Sequence, residues 1–223
     1  MPIQEICAVI DRSGSMLGKE DDTIGGINST FKVLRETKTD DDIIKISIKL
    51  FDHEQILKIR SLDLDQVRDL NHGDFQPRGQ TALLDAMGDT LTYFMQKKLM
   101  NPQAFDSCVI YISTDGLENA SKHYDNGKIK KMVKTAEESY NISVLYLAAN
   151  QDAIAEASKY GIDCGHAINY SENTENVQAV YRSAANAAVR SRSEGGRVAF
   201  TQTERSISQE QNSGTNYNFA SYH

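Results

Sequence analysis

The sequence predicts an α/β protein, a three-layer, doubly wound, mostly parallel sheet with helices on both faces. Apolar runs at residues 6–10, 107–113 and 142–149 lack polar alternation, as strands covered on both faces do. Between them, apolar residues recur every three or four positions, the period of helices packed along one side. The two patterns alternate along the chain, which calls for parallel strands joined by right-handed helical crossovers. About six strands are expected, one of them an antiparallel edge strand.

The first strand, 6–10 (ICAVI), stops at Asp11. Residues 23–37 place Ile24, Ile27, Phe31 and Leu34 on one helical face, with Asp22 or Thr23 as the cap. Residues 43–51 alternate Ile44, Ile46, Ile48 and Leu50 with Lys45, Ser47 and Lys49. A second run, 55–59, follows after a link too short for a crossover, so the pair forms an antiparallel hairpin at the sheet edge. Residues 61–80 hold a helical turn with Leu64, Val67 and Leu70, then an irregular stretch with Gly73, Pro77 and Gly79. Leu84, Met87, Leu91, Phe94 and Met95 predict a helix over 81–99 that starts at or just after Thr81. The strand 107–113 runs into a loop, TDGLEN, and Ile129, Met132, Val133, Ala136 and Tyr140 mark a helix over 128–140. A strand over 142–149, a short helix over 152–160 and a short strand over 167–170 follow.

Val177, Val180, Tyr181, Ala184, Ala185, Ala188 and Val189 line one face of a helix over 174–193, and the pattern fades beyond Gly195 and Gly196. Residues 1–195 are therefore read as one domain and 196–223 as a polar tail, flexible or docking on a partner. Between 201 and 223 only Ile207, Tyr217, Phe219 and Tyr222 stand out as large apolar residues. They are too few to offset an ordering cost of about 1–2 kcal/mol per residue. Truncation after Phe200 is accordingly expected to leave the melting curve nearly unchanged.

The 223 residues suit one domain plus a tail, and 24 Lys and Arg against 31 Asp and Glu leave a net charge of −7. That field repels nucleic acid and anionic lipid. No run of about 18 apolar residues occurs, and the start MPIQEICAVID carries an acid without a long apolar segment. The expectation is a soluble, cytoplasmic protein without a membrane partner. Cys7, Cys108 and Cys164 are odd in number and are read as reduced core residues.

Asp11, Ser13 and Ser15 occupy alternate residues of a loop that Gly14 lets bend sharply. Asp115 sits in the second loop and Thr81 arrives from the helix start between them. Doubly wound sheets collect binding residues at the carboxyl ends of strands where the winding reverses. With the strand 6–10 central and 107–113 beside it, these five oxygen donors converge. A few hard oxygens on short side chains suit Mg²⁺ or Mn²⁺, whereas Ca²⁺ takes roughly six to eight ligands and more carboxylates. Two carboxylates balance a divalent ion while hydroxyls add no charge, so one more anionic oxygen is welcome, such as a partner protein's Asp or Glu. Arg12, Arg78 and Lys19 would help attract it, with Glu118 and Asp21 opposing them. Asp85, one turn after Thr81, either supports the site by a hydrogen bond or faces solvent.

These residues resemble the von Willebrand factor type A domain, whose metal-ion-dependent adhesion site reads Asp-x-Ser-x-Ser, then Thr, then Asp. All five positions are present in that order, and the resemblance covers roughly residues 4–193. The stretches PRGQTALLDA and STDGLENAS resemble bacterial intracellular members. The resemblance implies a Rossmann-like fold and an interaction module in which Ser13, Ser15 and Thr81 are hydroxyl ligands. Asp11 and Asp115 would bind directly or through water. One alternative is an assembly protein in which the metal only stabilises. Another is a Mg²⁺-dependent phosphotransfer enzyme, but this needs a second acid two residues after Asp11, where Ser13 stands. A nucleophile elbow would need a glycine where Arg12 precedes Ser13, and a phosphate loop would need Ser or Thr where Glu20 follows Lys19.

Overall fold

The computed structural model describes residues 1–149, 152–194 and 198–208. Its strands are β1 (Ile3–Asp11), β2 (Ile43–Phe51), β3 (Gln55–Asp63), β4 (Ser107–Thr114), β5 (Ile142–Ala149) and β6 (Ala167–Tyr170). They form one sheet in the order β3-β2-β1-β4-β5-β6, parallel except for the β2–β3 hairpin. The winding reverses at β1, which pairs with β2 on one side and β4 on the other, as expected.

Side chains alternate through the sheet into two cores. Ile6, Ala8 and Ile10 of β1 point to helices α1 (Glu20–Thr37) and α5 (Thr174–Glu194). Cys7 and Val9 point to α2 (Leu83–Met100), α3 (Asn126–Tyr140) and α4 (Ala153–Lys159). The central strands are apolar on both faces because both faces are covered.

Some expectations differ from the structure. Helix α1 starts three residues early, so Asp22 and Thr23 lie inside its first turn, where Glu20, Asp21 and Asp22 favour the positive end of the helix dipole. No helical segment beyond single 3-10 turns forms in 61–80: β3 runs on to Asp63, and such turns cover Leu64–Gln66 and His72–Asp74. Side chains of α1 satisfy this segment's backbone instead. Arg35 donates to the Val67 carbonyl at 2.5 Å, and Asn28 brackets Leu70 at 2.8 and 3.0 Å. Cys7 and Cys108 are buried thiols, but Cys164 is exposed and is no core residue.

Residues 198–208, expected within the polar tail, lie on the domain. Val198 and Phe200 are buried in the α1/α5 core, and helix α6 (Gln202–Ile207) follows. Arg190 forks onto Glu204 at 2.9 and 2.9 Å. Arg205 donates to the Ala167 carbonyl at 2.6 Å and to those of Cys164 and Gly165 at 2.9 Å each. The Ser208 hydroxyl donates to the Asn169 carbonyl at 2.9 Å. The contacts are mostly polar side chain to backbone, so hydrophobic periodicity gave no sign of them. Tyr217, Phe219 and Tyr222 lie outside the described residues. Among the described residues no helix is long and apolar enough to cross a membrane.

Candidate metal centre

The carboxyl ends of β1 and β4 are level: Ile10 is in register with Ser113, which sets Asp11 beside Thr114. Asp11 Oδ1 accepts the Ser13 amide at 2.7 Å, a tight Asx turn that folds the loop back over the strand end. Its Oδ2 accepts the Thr114 hydroxyl at 2.6 Å. The Ser13 and Ser15 hydroxyls lie 3.0 Å apart, and Ser15 donates to Asp115 Oδ1 at 2.6 Å. Thr81 is buried against the second loop: a Cβ placed on Gly116 would stand 3.4 Å from Thr81 Oγ1 and 3.7 Å from Ser15 Oγ. The structure thus brings Asp11, Ser13, Ser15, Thr81 and Asp115 to one spot.

Backbone bonds lock the loops together. Gly14 N donates to Gly79 O at 3.1 Å and Arg78 N to Arg12 O at 2.7 Å. Asn119 takes Thr81 from both sides, its Oδ1 accepting the Thr81 amide at 2.9 Å and its own amide donating to the Thr81 carbonyl at 3.0 Å. Glu118, expected as a rim charge, accepts from the amides of Leu84 and Ala120 at 2.9 Å each and from Ser121 N at 2.7 Å. Asp85 is buried and accepts three amides of the 122–124 turn at 2.8, 2.9 and 3.1 Å. Against the raising effect of burial, those three bonds hold its carboxyl below the usual range.

The electrostatics centre on two buried carboxylates. Burial pushes the Asp11 pKa up to about 6, outweighing the lowering effect of its bonds from Thr114 and Ser13, with Asp115 adding repulsion. A divalent cation reverses that penalty, so the donor set fits such an ion. The Asp115 side chain is 3 % exposed and carries an ion pair from Lys19, whose ammonium also meets Glu172. Partial burial works against the Lys19 charge, yet the two carboxylates raise its pKa. The three cations expected to attract a partner are therefore engaged internally. Lys19 is held as described, Arg12 is buried against Asp52 at 3.0 Å, and Arg78 reaches Asp52 at 3.0 Å and also Glu54.

Two contributors were not anticipated. Thr114, the last residue of β4, shares Asp11, and Glu172 shares Lys19. Thr114 adjoins Asp115 in a loop already singled out, but Glu172 carries no local pattern. Beside the site, Asp52, His53 and Glu54 offer one ligand atom each, all within 4.8 Å of one another, a second set able to coordinate a divalent cation. Its carboxylates are already held by Arg12 and Arg78.

No family model matches the sequence, and neither does any curated protein. Solved structures do match. Proximal thread matrix protein 1 from the mussel byssus superposes with a TM-score of 0.60 at 12 % identity, over 84 % of this chain and 46 % of that one. A von Willebrand factor type A protein from Catenulispora acidiphila gives 0.59 at 12 %, over 84 % and 43 %. The pilus adhesin SpaC from Lactobacillus rhamnosus GG gives 0.61 at 13 %, over 85 % and 30 %. This chain therefore spans less than half the length of each of these proteins. The fold is that of von Willebrand factor type A domains. The expected cytoplasmic location does not stand, because the similar structures include a byssus matrix protein and a pilus adhesin, both components of extracellular structures.

Proposed function

Taking the von Willebrand factor type A fold as the premise, we propose that this chain is a metal-dependent protein-binding module and not an enzyme. It captures an acidic side chain of a partner protein at a divalent cation held by Asp11, Ser13, Ser15, Thr81 and Asp115. One observation carries this reading: an unbroken run of short oxygen contacts from Ser13 through Ser15 to Asp115, with Asp11 clamped between its own loop and Thr114. Short hydroxyls and two carboxylates favour Mg²⁺, with Mn²⁺ next and Ca²⁺ less suited. Another structure of the byssus protein is described with a zinc-occupied site of this type, so zinc belongs in the test.

The ion supplies an electrophilic point for one further anionic oxygen. Lys19 is shared with Glu172, so Asp11, Asp115, Glu172 and Lys19 together leave two negative charges, which a divalent cation neutralises while its hydroxyl ligands leave it electrophilic. A carboxylate is a fitting last ligand. Leu17 and Leu117, on the two loops that frame the site, are 66 % and 57 % exposed and offer apolar contact around it. The similar proteins are an adhesin and a matrix protein, in keeping with binding and not with turnover. A metal that merely stabilised the fold is disfavoured by Lys19, which already gives Asp115 a counter-charge.

Thermal unfolding with Mg²⁺, Mn²⁺, Ca²⁺ and Zn²⁺ tests the site. A cation at a hundredfold excess over its Kd should stabilise the wild type by roughly 2.7 kcal/mol. Asp11→Ala should abolish the gain, and an identical gain in that variant would remove the assignment. Partner capture should require metal and weaken in Thr81→Ala, which loses a hydroxyl and no charge. Capture that is equal in chelator would place the contact elsewhere.

A further inference from the structure

Strand β2 is interior to the sheet, yet one of its faces reads Lys45, Ser47, Lys49. A strand covered on both faces should be apolar on both, and a local pattern that contradicts its place in the fold marks a function. Beneath that face, between the β2–β3 ribbon and α2, lies a cavity of about 270 Å³. Its walls are mostly apolar, from Cys7, Leu57, Tyr93 and Phe94, and its polar groups include Lys49 and Arg60.

Neither cation has a carboxylate partner among the described residues. Lys49 donates to Gln55 Oε1 at 3.0 Å, and the Arg60 guanidinium lies 5.6 Å from the centre of the Tyr93 ring. Asp89, an acid whose charge reaches Lys49, accepts instead from Gln55 Nε2 at 2.8 Å and from the Tyr124 hydroxyl at 3.2 Å. The neighbouring cation of the same layer shows the contrast: Lys97 is ion-paired with the fully buried Glu5. Burial depresses the Lys49 pKa, and Arg60 adds repulsion. A partly buried lysine and an exposed arginine, neither in an ion pair among the described residues, flank an apolar space, a lining that suits an anion with an apolar body.

We propose that this cavity binds a small amphiphilic carboxylate, its head between Lys49 and Arg60 and its hydrocarbon body against Leu57, Tyr93 and Phe94. The site is separate from the metal centre and independent of it. Sodium octanoate is the probe, titrated calorimetrically into the full chain, with octanol as the uncharged comparator. Octanoate should bind one per chain, at least about tenfold tighter than octanol, because a charge-assisted contact is the difference between them. Lys49→Met should cost about tenfold and Arg60→Gln several-fold by the same reasoning. Arg60 is exposed, so its variant folds whatever becomes of Lys49→Met. Binding should be unchanged in chelator. The proposal is overturned if folded wild type shows no saturable octanoate binding, if octanol binds equally well, if both variants bind as wild type does, or if chelator removes binding.

Discussion

Asp11 owes its position to the Ser13 amide and to a residue outside the five-residue pattern, Thr114, whose hydroxyl it accepts. Thr114→Val keeps the shape and removes the donor, leaving a buried oxygen without a partner. It should cost about 1–3 kcal/mol of stability and lower metal affinity about 10- to 100-fold. Chemical denaturation and a metal titration measure the two effects separately. The buried pair Glu5–Lys97 is equally exposed to one-sided loss. Lys97→Ala should destabilise by roughly 3 kcal/mol, because the carboxylate remains interior without its cation. A pH effect arises at Asp74, which the Arg68 fork, at 2.8 and 2.8 Å, holds down to about 2. A folded pKa below the unfolded one stabilises fully above about pH 4 and loses that stabilisation as pH falls toward about 2. In urea titrations Arg68→Ala should flatten the acid limb of stability against pH, by a small amount because the guanidinium is exposed. That Asp11, Ser13, Ser15, Thr81 and Asp115 lie near one another was legible in the sequence, since each sits next to a strand or helix end. Their clamps were not, because Glu172 and Asn119 act through folding and not through spacing.

Among the elements, strands were read more faithfully than the link between them. All six expected strands form: the apolar runs 6–10, 107–113 and 142–149 because burial on both faces leaves few other uses for them, and the 43–51 and 55–59 pair because its link is too short for a crossover. In the segment 61–80 the expected helical turn is confined to Leu64–Gln66, and beyond it the Val67 and Leu70 backbone groups bond to Arg35 and Asn28 of α1. Apolar spacing reports which side chains are buried, and the chain can satisfy it without a helix when another element supplies the hydrogen bonds. Helices α1 and α5 meet at Gly26, where an added Cβ would lie 2.5 Å from the Tyr181 ring. That ring is buried, and its hydroxyl bonds to Ser113 Oγ at 3.0 Å, so it has no room to yield. Gly26→Ala should therefore destabilise by about 1–3 kcal/mol despite the better helix propensity of alanine. A thermal melt beside Gly25→Ala, whose nearest new contact is an ordinary 3.8 Å, separates packing from propensity.

For the molecule as a whole, the main revision concerns its C-terminal part. Cutting after Phe200 removes Glu204 from Arg190 and frees the three carbonyls held by Arg205, so the melting temperature should fall by several degrees. The expectation of no change rested on counting apolar residues, and here the docking is carried by guanidinium groups on backbone oxygens. Those bonds also decide what the sheet presents at its rims. Arg205 and Ser208 take up the Ala167 and Asn169 carbonyls of β6. The opposite rim is β3, whose ladder with β2 contains a register shift and which carries the exposed cations Lys58 and Arg60. A sheet with two open rims can add strands from copy to copy without limit. Loss of residues 198–208 would uncover the two β6 carbonyls on a strand edge, and light scattering of the shortened chain beside the full chain tests whether copies then pair through it.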